Sequence, residues 1–158
     1  MGLSFRDGEM LKRAGIRAVE TAGAGGTSWI GVETERAEGV DLAAGQMLWD
    51  FGIPTGASVA WMADLGFETV ASGGVYSALD AARAIRLGAC AVALARPWLI
   101  AWMKDGKQGL RRLVNELVTG LTYTMLCVGA KDISALQQVD CLIGDALQRY
   151  IDLPRNRR

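Results

Sequence analysis

Three short β-prone runs, at 16–21, 67–72 and 90–95, each stop abruptly at glycines or at Arg96 and Pro97, and residues with helical spacing lie between them. A strand that stops at a tight turn and returns through a helix pairs in parallel with the next strand. The chain therefore reads as an α/β unit of about three parallel strands with covering helices. The helical punctuation agrees. Residues 7–14 read as the end of a helix with Gly15 at its left-handed cap, and Pro54 and Thr55 open a helix at 56–65 that Gly66 ends. Val59, Met62 and Ala63 share a face of that helix. Ser77, with Asp80 three residues on, forms a capping box ahead of a helix at 78–87. There Ala78, Ala82 and Ile85 fall together, Asp80, Arg83 and Arg86 fall away, and Gly88 stops the turn.

The third run is apolar at every position, which predicts a central parallel strand covered on both faces. Leu110, Leu113, Val114, Leu117, Val118, Leu121 and Met125 repeat at helical spacing, and Asp132 reads as the cap of a final helix. In that helix Leu136, Val139, Ile143, Ala146, Leu147 and Tyr150 face inward. Residues 30–50, with weak periodicity and scattered acids, predict a long mobile loop holding at most a single helical turn. Pro154 and the basic tail of Arg155, Arg157 and Arg158 predict a frayed end, so the chain divides into a domain at 1–152 and a tail at 153–158.

Composition narrows the chemistry. The 158 residues contain no His, which removes the commonest general base, the commonest metal ligand and the usual triads. Seventeen basic residues balance seventeen acidic ones, so no net field draws the chain to nucleic acid or an anionic membrane. Any anion must be held by local geometry. Cys90, Cys127 and Cys141 are odd in number, widely spaced and set among apolar residues, and are expected as reduced core residues. No apolar stretch is long enough to cross a bilayer and no basic leader precedes one, so a soluble, cytoplasmic protein is expected.

Two glycine clusters fall directly after strands, where parallel α/β folds place ligands. In the first, Gly23, Gly25 and Gly26 let backbone approach a ligand closely, Thr27 and Ser28 add hydroxyls, and Trp29 is expected to line a pocket. In the second, the amides of Gly73, Gly74 and Val75 are suited to an anion beside the start of the helix near Ala78. Glycine pairs after strands also serve purely as tight turns, and spacing alone leaves both readings open. Neither cluster has the Rossmann spacing or a P-loop lysine. Trp98 and Trp102, one helical turn apart, are expected to pack a helix.

The strings GAGGTSW (23–29), FGIPT (51–55), VASGGVYSALDAARAIRLGA (70–89), ARP (95–97) and VGAKDISAL (128–136) occur in one order. In that order they resemble type 2 isopentenyl diphosphate isomerase, over nearly the whole chain but only the carboxyl-terminal half of the family's (β/α)8 barrel. The resemblance implies an FMN-dependent enzyme that interconverts isopentenyl and dimethylallyl diphosphate, with magnesium and NADPH as further requirements. It implies that Thr27 meets the FMN phosphate region, that Gly73, Gly74 and Val75 hold the phosphate through backbone amides, and that Ala95 and Arg96 close the site. It also implies that the family's flavin-contacting lysine precedes the segment matching Gly2, Leu3 and Ser4. Its substrate-site histidine and glutamine and its magnesium-binding glutamate would lie in the barrel's first half, so no catalytic residue is assigned to this chain. Ala22 stands where some relatives carry serine. On this reading the chain alone is inactive, and a complementary half-barrel chain or a second copy is its expected partner. The competing expectations are a non-catalytic FMN-binding remnant and half of another FMN barrel oxidoreductase, such as an α-hydroxy-acid oxidase. The arginine and histidine that the oxidase would place after its sixth strand do not follow Thr21.

Overall fold

Residues 2–154 are described by the computed structural model. The basic tail of Arg155, Arg157 and Arg158 lies outside the described residues. Helix α1 (Phe5–Arg13) starts at Ser4, whose hydroxyl accepts the Asp7 N–H at 3.1 Å while the Asp7 carboxylate accepts the Ser4 N–H at 2.8 Å. These two bonds satisfy donors that a helix start leaves orphaned. The Ser4 hydroxyl, then the Ser4 amide, hold the Asp7 carboxyl below its ordinary value of 3.8, with a smaller contribution from Arg6. A carboxyl depressed in the folded state lends stability above its ordinary value and loses it as pH falls through the folded value. Asp7→Asn is therefore expected to lower the melting temperature slightly at pH 7, and the gap to the parent should shrink below pH 3.8 in thermal melts. A gap of constant size across that window would refute the capping role.

Strand β1 (Ala18–Ala22) follows, then two helices, α2 (Trp29–Thr34) and α3 (Gly39–Met47). The expectation of a loop at 30–50 is thus corrected. Ser28 caps α2 by accepting the Gly31 N–H at 3.0 Å. Helices of six and nine residues, the second with no buried residue, are too short and too exposed to show periodicity. They cross tightly, since a Cβ on Gly45 would sit 2.0 Å from the Thr34 hydroxyl.

Next come α4 (Thr55–Asp64), β2 (Glu68–Ser72), α5 (Ala78–Arg86) and the two-residue β3 (Ala91–Val92). All three strands are parallel in the order β1-β2-β3, with Ala22 opposite Ser72 and Ala71 opposite Val92. The expected third strand is corrected in length and place, because β3 lies at the sheet's margin and β2 is central. The apolar run at 90–95 has no neighbouring strand on its far side to extend its ladder.

One face of the sheet carries the core. Val59, Ala71, Ala84 and Ala89 pack together beneath Val92, and Ala57, Trp61, Met62 and Phe67 form a second cluster reached by Val19. The opposite face is largely bare: Ala18, Glu20, Ala22, Glu68 and Ala91 are exposed, Val70 is half-buried, and Ser72, at the strand's end, is buried. Alternation along each strand sends these residues to one side, away from α4 and α5.

Helix α6 (Arg96–Cys127) carries the expected 110–125 pattern, with Leu121 and Met125 packed against Ala82 and Ile85. It is broken at Asp105 and Gly106, where φ reaches +49° at the glycine. The single final helix is corrected to two, α7 (Ile133–Gln138), capped by Asp132, and α8 (Asp145–Asp152). Leu136 is buried and Leu147 packs near Trp61, but Ala146 and Tyr150 are exposed, because the chain turns between the two helices and a single face does not persist. The three cysteines are free and exposed, contrary to the core placement expected of them. Cys90 enters a marginal strand, Cys127 ends α6 and Cys141 lies between α7 and α8, so apolar neighbours in sequence do not bury them. Trp102 is likewise more than half exposed. Among the described residues no helix is long and apolar enough to cross a membrane.

Candidate functional site

The carboxyl ends of all three strands open into one cavity of about 630 Å³. That size lies within the ordinary range of small-molecule sites, ~300–1,000 Å³. Thr27, Gly73, Gly74, Val75, Ala95 and Arg96, each singled out from sequence, all line it. Trp29 lines it too, as expected.

The two glycine turns touch. A Cβ on Gly26 would lie 2.7 Å from the Gly73 Cα, and one on Gly74 would lie 2.7 Å from the Gly25 carbonyl oxygen. Any side chain there would push the turns apart. Gly73 and Gly74 have φ of +71° and +91°, a backbone conformation that glycine adopts without side-chain strain.

The backbone N–H groups of Gly73, Gly74 and Val75 find no acceptor among the described residues. The next two amides do. Asp80, the capping carboxylate of α5, accepts from Tyr76 at 3.2 Å and from Ser77 at 3.1 Å. The helix thus satisfies its own first donors and leaves the three before them without an acceptor, on residues that line the cavity. Unpaired amides of this kind are costly when desolvated without an acceptor and are strong donors to an anion.

From the third strand's end, α6 begins at Arg96 with Pro97 in its first turn, and Ala95, Arg96 and Pro97 all border the cavity. A helix amino terminus carries partial positive charge, and the Arg96 guanidinium adds a full one without an ion pair among the described residues. The cavity's acid is Glu20, on the bare face of β1. Its position alternates with buried Thr21, a pattern from which its outward direction was readable.

The sequence marks Thr55 as a helix opener and as part of the FGIPT string, with no sign of a role at the site. Its hydroxyl donates to the Gly73 carbonyl at 2.7 Å and accepts the Gly23 N–H at 3.2 Å, so it joins both glycine turns. The Ala24 N–H to Ile53 carbonyl bond, 2.8 Å, fastens the same corner. Among the described residues no group of three His, Cys, Asp or Glu side chains is placed to hold a metal ion.

The model of the FMN-dependent dehydrogenase family matches residues 46–142. The isopentenyl-diphosphate delta-isomerase of Methanosarcina barkeri is 34% identical over 154 residues, 95% of this chain and 42% of that protein. The protein of the same name from Symbiobacterium thermophilum is 37% identical over 145 residues, 90% of this chain and 39% of its own length. Among solved structures, a mandelate oxidase variant carrying a monooxide FMN adduct superposes with a TM-score of 0.66 at 21% identity, covering 90% of this chain and 40% of that one. The chain therefore spans about 40% of the length of the proteins it matches. The last similarity speaks to fold alone: three strands and their helices form part of a barrel.

Proposed function

The chain belongs to the FMN-dependent dehydrogenase family, and from that premise we propose that residues 1–152 form the FMN-phosphate grip of a (β/α)8 isopentenyl-diphosphate delta-isomerase. The observation that carries this reading is that Gly73, Gly74 and Val75, whose amides have no acceptor among the described residues, line one cavity with the amino terminus of α6. Isomerase relatives at 34% and 37% identity support the choice of reaction. The oxidoreductase alternative draws on the family model and on fold similarity, without a relative of comparable identity beside it.

The residues present suit a phosphate. The amides of Gly73, Gly74 and Val75 would donate to its oxygens, Ala95 and Arg96 would meet it from α6, and Thr27 would add a hydroxyl from the first turn. The glycines let the backbone come within hydrogen-bonding distance of an anion, and Trp29 offers an aromatic wall further along the cavity. FMN, when bound, supplies the redox-active ring on which the isomerisation depends. The chain's own part is to hold the phosphate end and so fix where that ring lies. The diphosphate substrate, magnesium and NADPH would engage the part of the barrel that this chain does not span. Turnover therefore awaits that part.

Fluorescence titration tests the grip. Each hydrogen bond to a charged acceptor contributes ~1.5–3 kcal/mol, and tenfold in affinity is ~1.4 kcal/mol. FMN should therefore bind at least ~10-fold tighter than riboflavin, which shares the ring and lacks the phosphate. Equal affinities would sink the reading. Selective FMN binding without turnover, even beside the complementary barrel half, would leave a binding remnant in place of an enzyme part.

A further inference from the structure

We infer that Thr55 is a positioning residue, whose hydroxyl sets the direction of the Gly73–Gly74 peptide and thereby aims the Gly74 N–H into the cavity. The inference rests on the phosphate reading above and adds to it a residue outside the cavity wall. Thr55 opens α4 yet makes no capping bond to its own helix: Pro54 is the N-cap, with no side-chain bond. Its hydroxyl works across the fold, donating to the Gly73 carbonyl at 2.7 Å and accepting from the Gly23 amide at 3.2 Å. These partners lie 18 and 32 residues away in sequence.

The geometry of a planar trans peptide converts that bond into a direction. The C=O of one residue and the N–H of the next point opposite ways across the same plane. A Gly73 carbonyl held toward Thr55 therefore turns the Gly74 N–H away from Thr55, and Gly74 lines the cavity. Both residues of this peptide are glycines, so nothing in their own side chains opposes a flip that would present a carbonyl oxygen to an incoming phosphate. The Thr55 bond is what discriminates the two orientations. Packing leaves no room for a substitute from the first turn: a Cβ on Gly25 would already sit 3.1 Å from the Thr55 hydroxyl, and one on Gly23 2.4 Å from the Thr55 amide nitrogen.

The test compares FMN and riboflavin binding by the unsubstituted chain, Thr55→Val and Thr55→Ser, with circular dichroism to follow folding. Thr55→Val should lose ~10–100-fold in FMN affinity, the worth of one charge-assisted hydrogen bond, while its riboflavin affinity stays within about twofold of the unsubstituted chain by the same relation. Thr55→Ser should restore FMN affinity, and the 31P resonance of bound FMN should shift in the Val variant and return in the Ser variant. A folded Thr55→Val that keeps its preference for FMN over riboflavin overturns the inference and leaves the phosphate reading standing. An unsubstituted chain with no such preference overturns both. If Thr55→Val does not fold, Thr55→Ala takes its place, and failure of both to fold assigns Thr55 to structure alone and overturns the positioning role.

Discussion

Gly74→Ala should abolish selective FMN binding while the chain stays folded. Gly74 has φ of +91°, where an L side chain costs ~1–2 kcal/mol. Its new Cβ would also lie 2.7 Å from the Gly25 carbonyl oxygen and 3.0 Å from the Gly25 Cα, so relief requires the two turns to part. The first turn cannot retreat freely, because Gly23 and Ala24 are tied to Thr55 and Ile53. Separation of the turns would displace the three acceptor-free amides at 73–75 from the cavity wall they occupy. FMN affinity should fall ~100-fold or more, as expected for losing two charge-assisted bonds, and riboflavin affinity should change little. Gly39→Ala separates strain from geometry. Its φ is +56° and nothing lies within 4 Å of the new Cβ, so it incurs strain without displacing a neighbour. It should lower the melting temperature by a few degrees and leave FMN binding untouched. If Gly39→Ala weakened FMN as much as Gly74→Ala, the effect would be general instability and the grip would lose its support.

What could be read from the sequence was whatever depends on near neighbours. The capping box at Ser77 and Asp80 forms as its spacing predicts, and so do the glycine terminations at Gly15, Gly66 and Gly88, all with positive φ. The candidate cavity was legible for the same reason. A parallel fold gathers strand ends, so residues just after strands converge wherever they lie in sequence. Long-range hydrogen bonds were not legible. Nothing around Thr55 announces that its hydroxyl bridges turns at 23 and 73, and the buried Thr21, Ser58 and Leu3 contact is equally silent. Burial failed where apolar sequence was taken for apolar surroundings. Cys90, Cys127 and Trp102 lie in segments of suitable composition, yet they are exposed in this chain. Residues 30–50 failed for another reason, since α2 and α3 are held by contact with each other and bury little.

The bare face of the sheet supplies the second large prediction. β1 and β3 each offer an unpaired edge, and Ala18, Ala22 and Ala91 form a small, apolar surface broken by Glu20 and Glu68. Unprotected edges recruit other strands. A (β/α)8 barrel needs eight strands to close around its packed interior; three are present among the described residues, and a second copy would bring that total only to six. Closure would require five further strands, which the remaining part of an isomerase relative, supplied as a separate chain, would bring. Alone, the chain should self-associate in a concentration-dependent manner in sedimentation experiments. Co-expressed with that partner, it should form a one-to-one complex and gain isomerase turnover of at least ~10³-fold over background, since catalytic groups that act as a unit lose most of their rate when separated. Ala91→Lys, which sets a charge on the bare face, should suppress both self-association and complementation. Val40→Lys, on the 85% exposed side of α3, should suppress neither. Assembly and turnover unaltered by Ala91→Lys would mean that the partner docks elsewhere and that the open sheet is not the seam of a barrel.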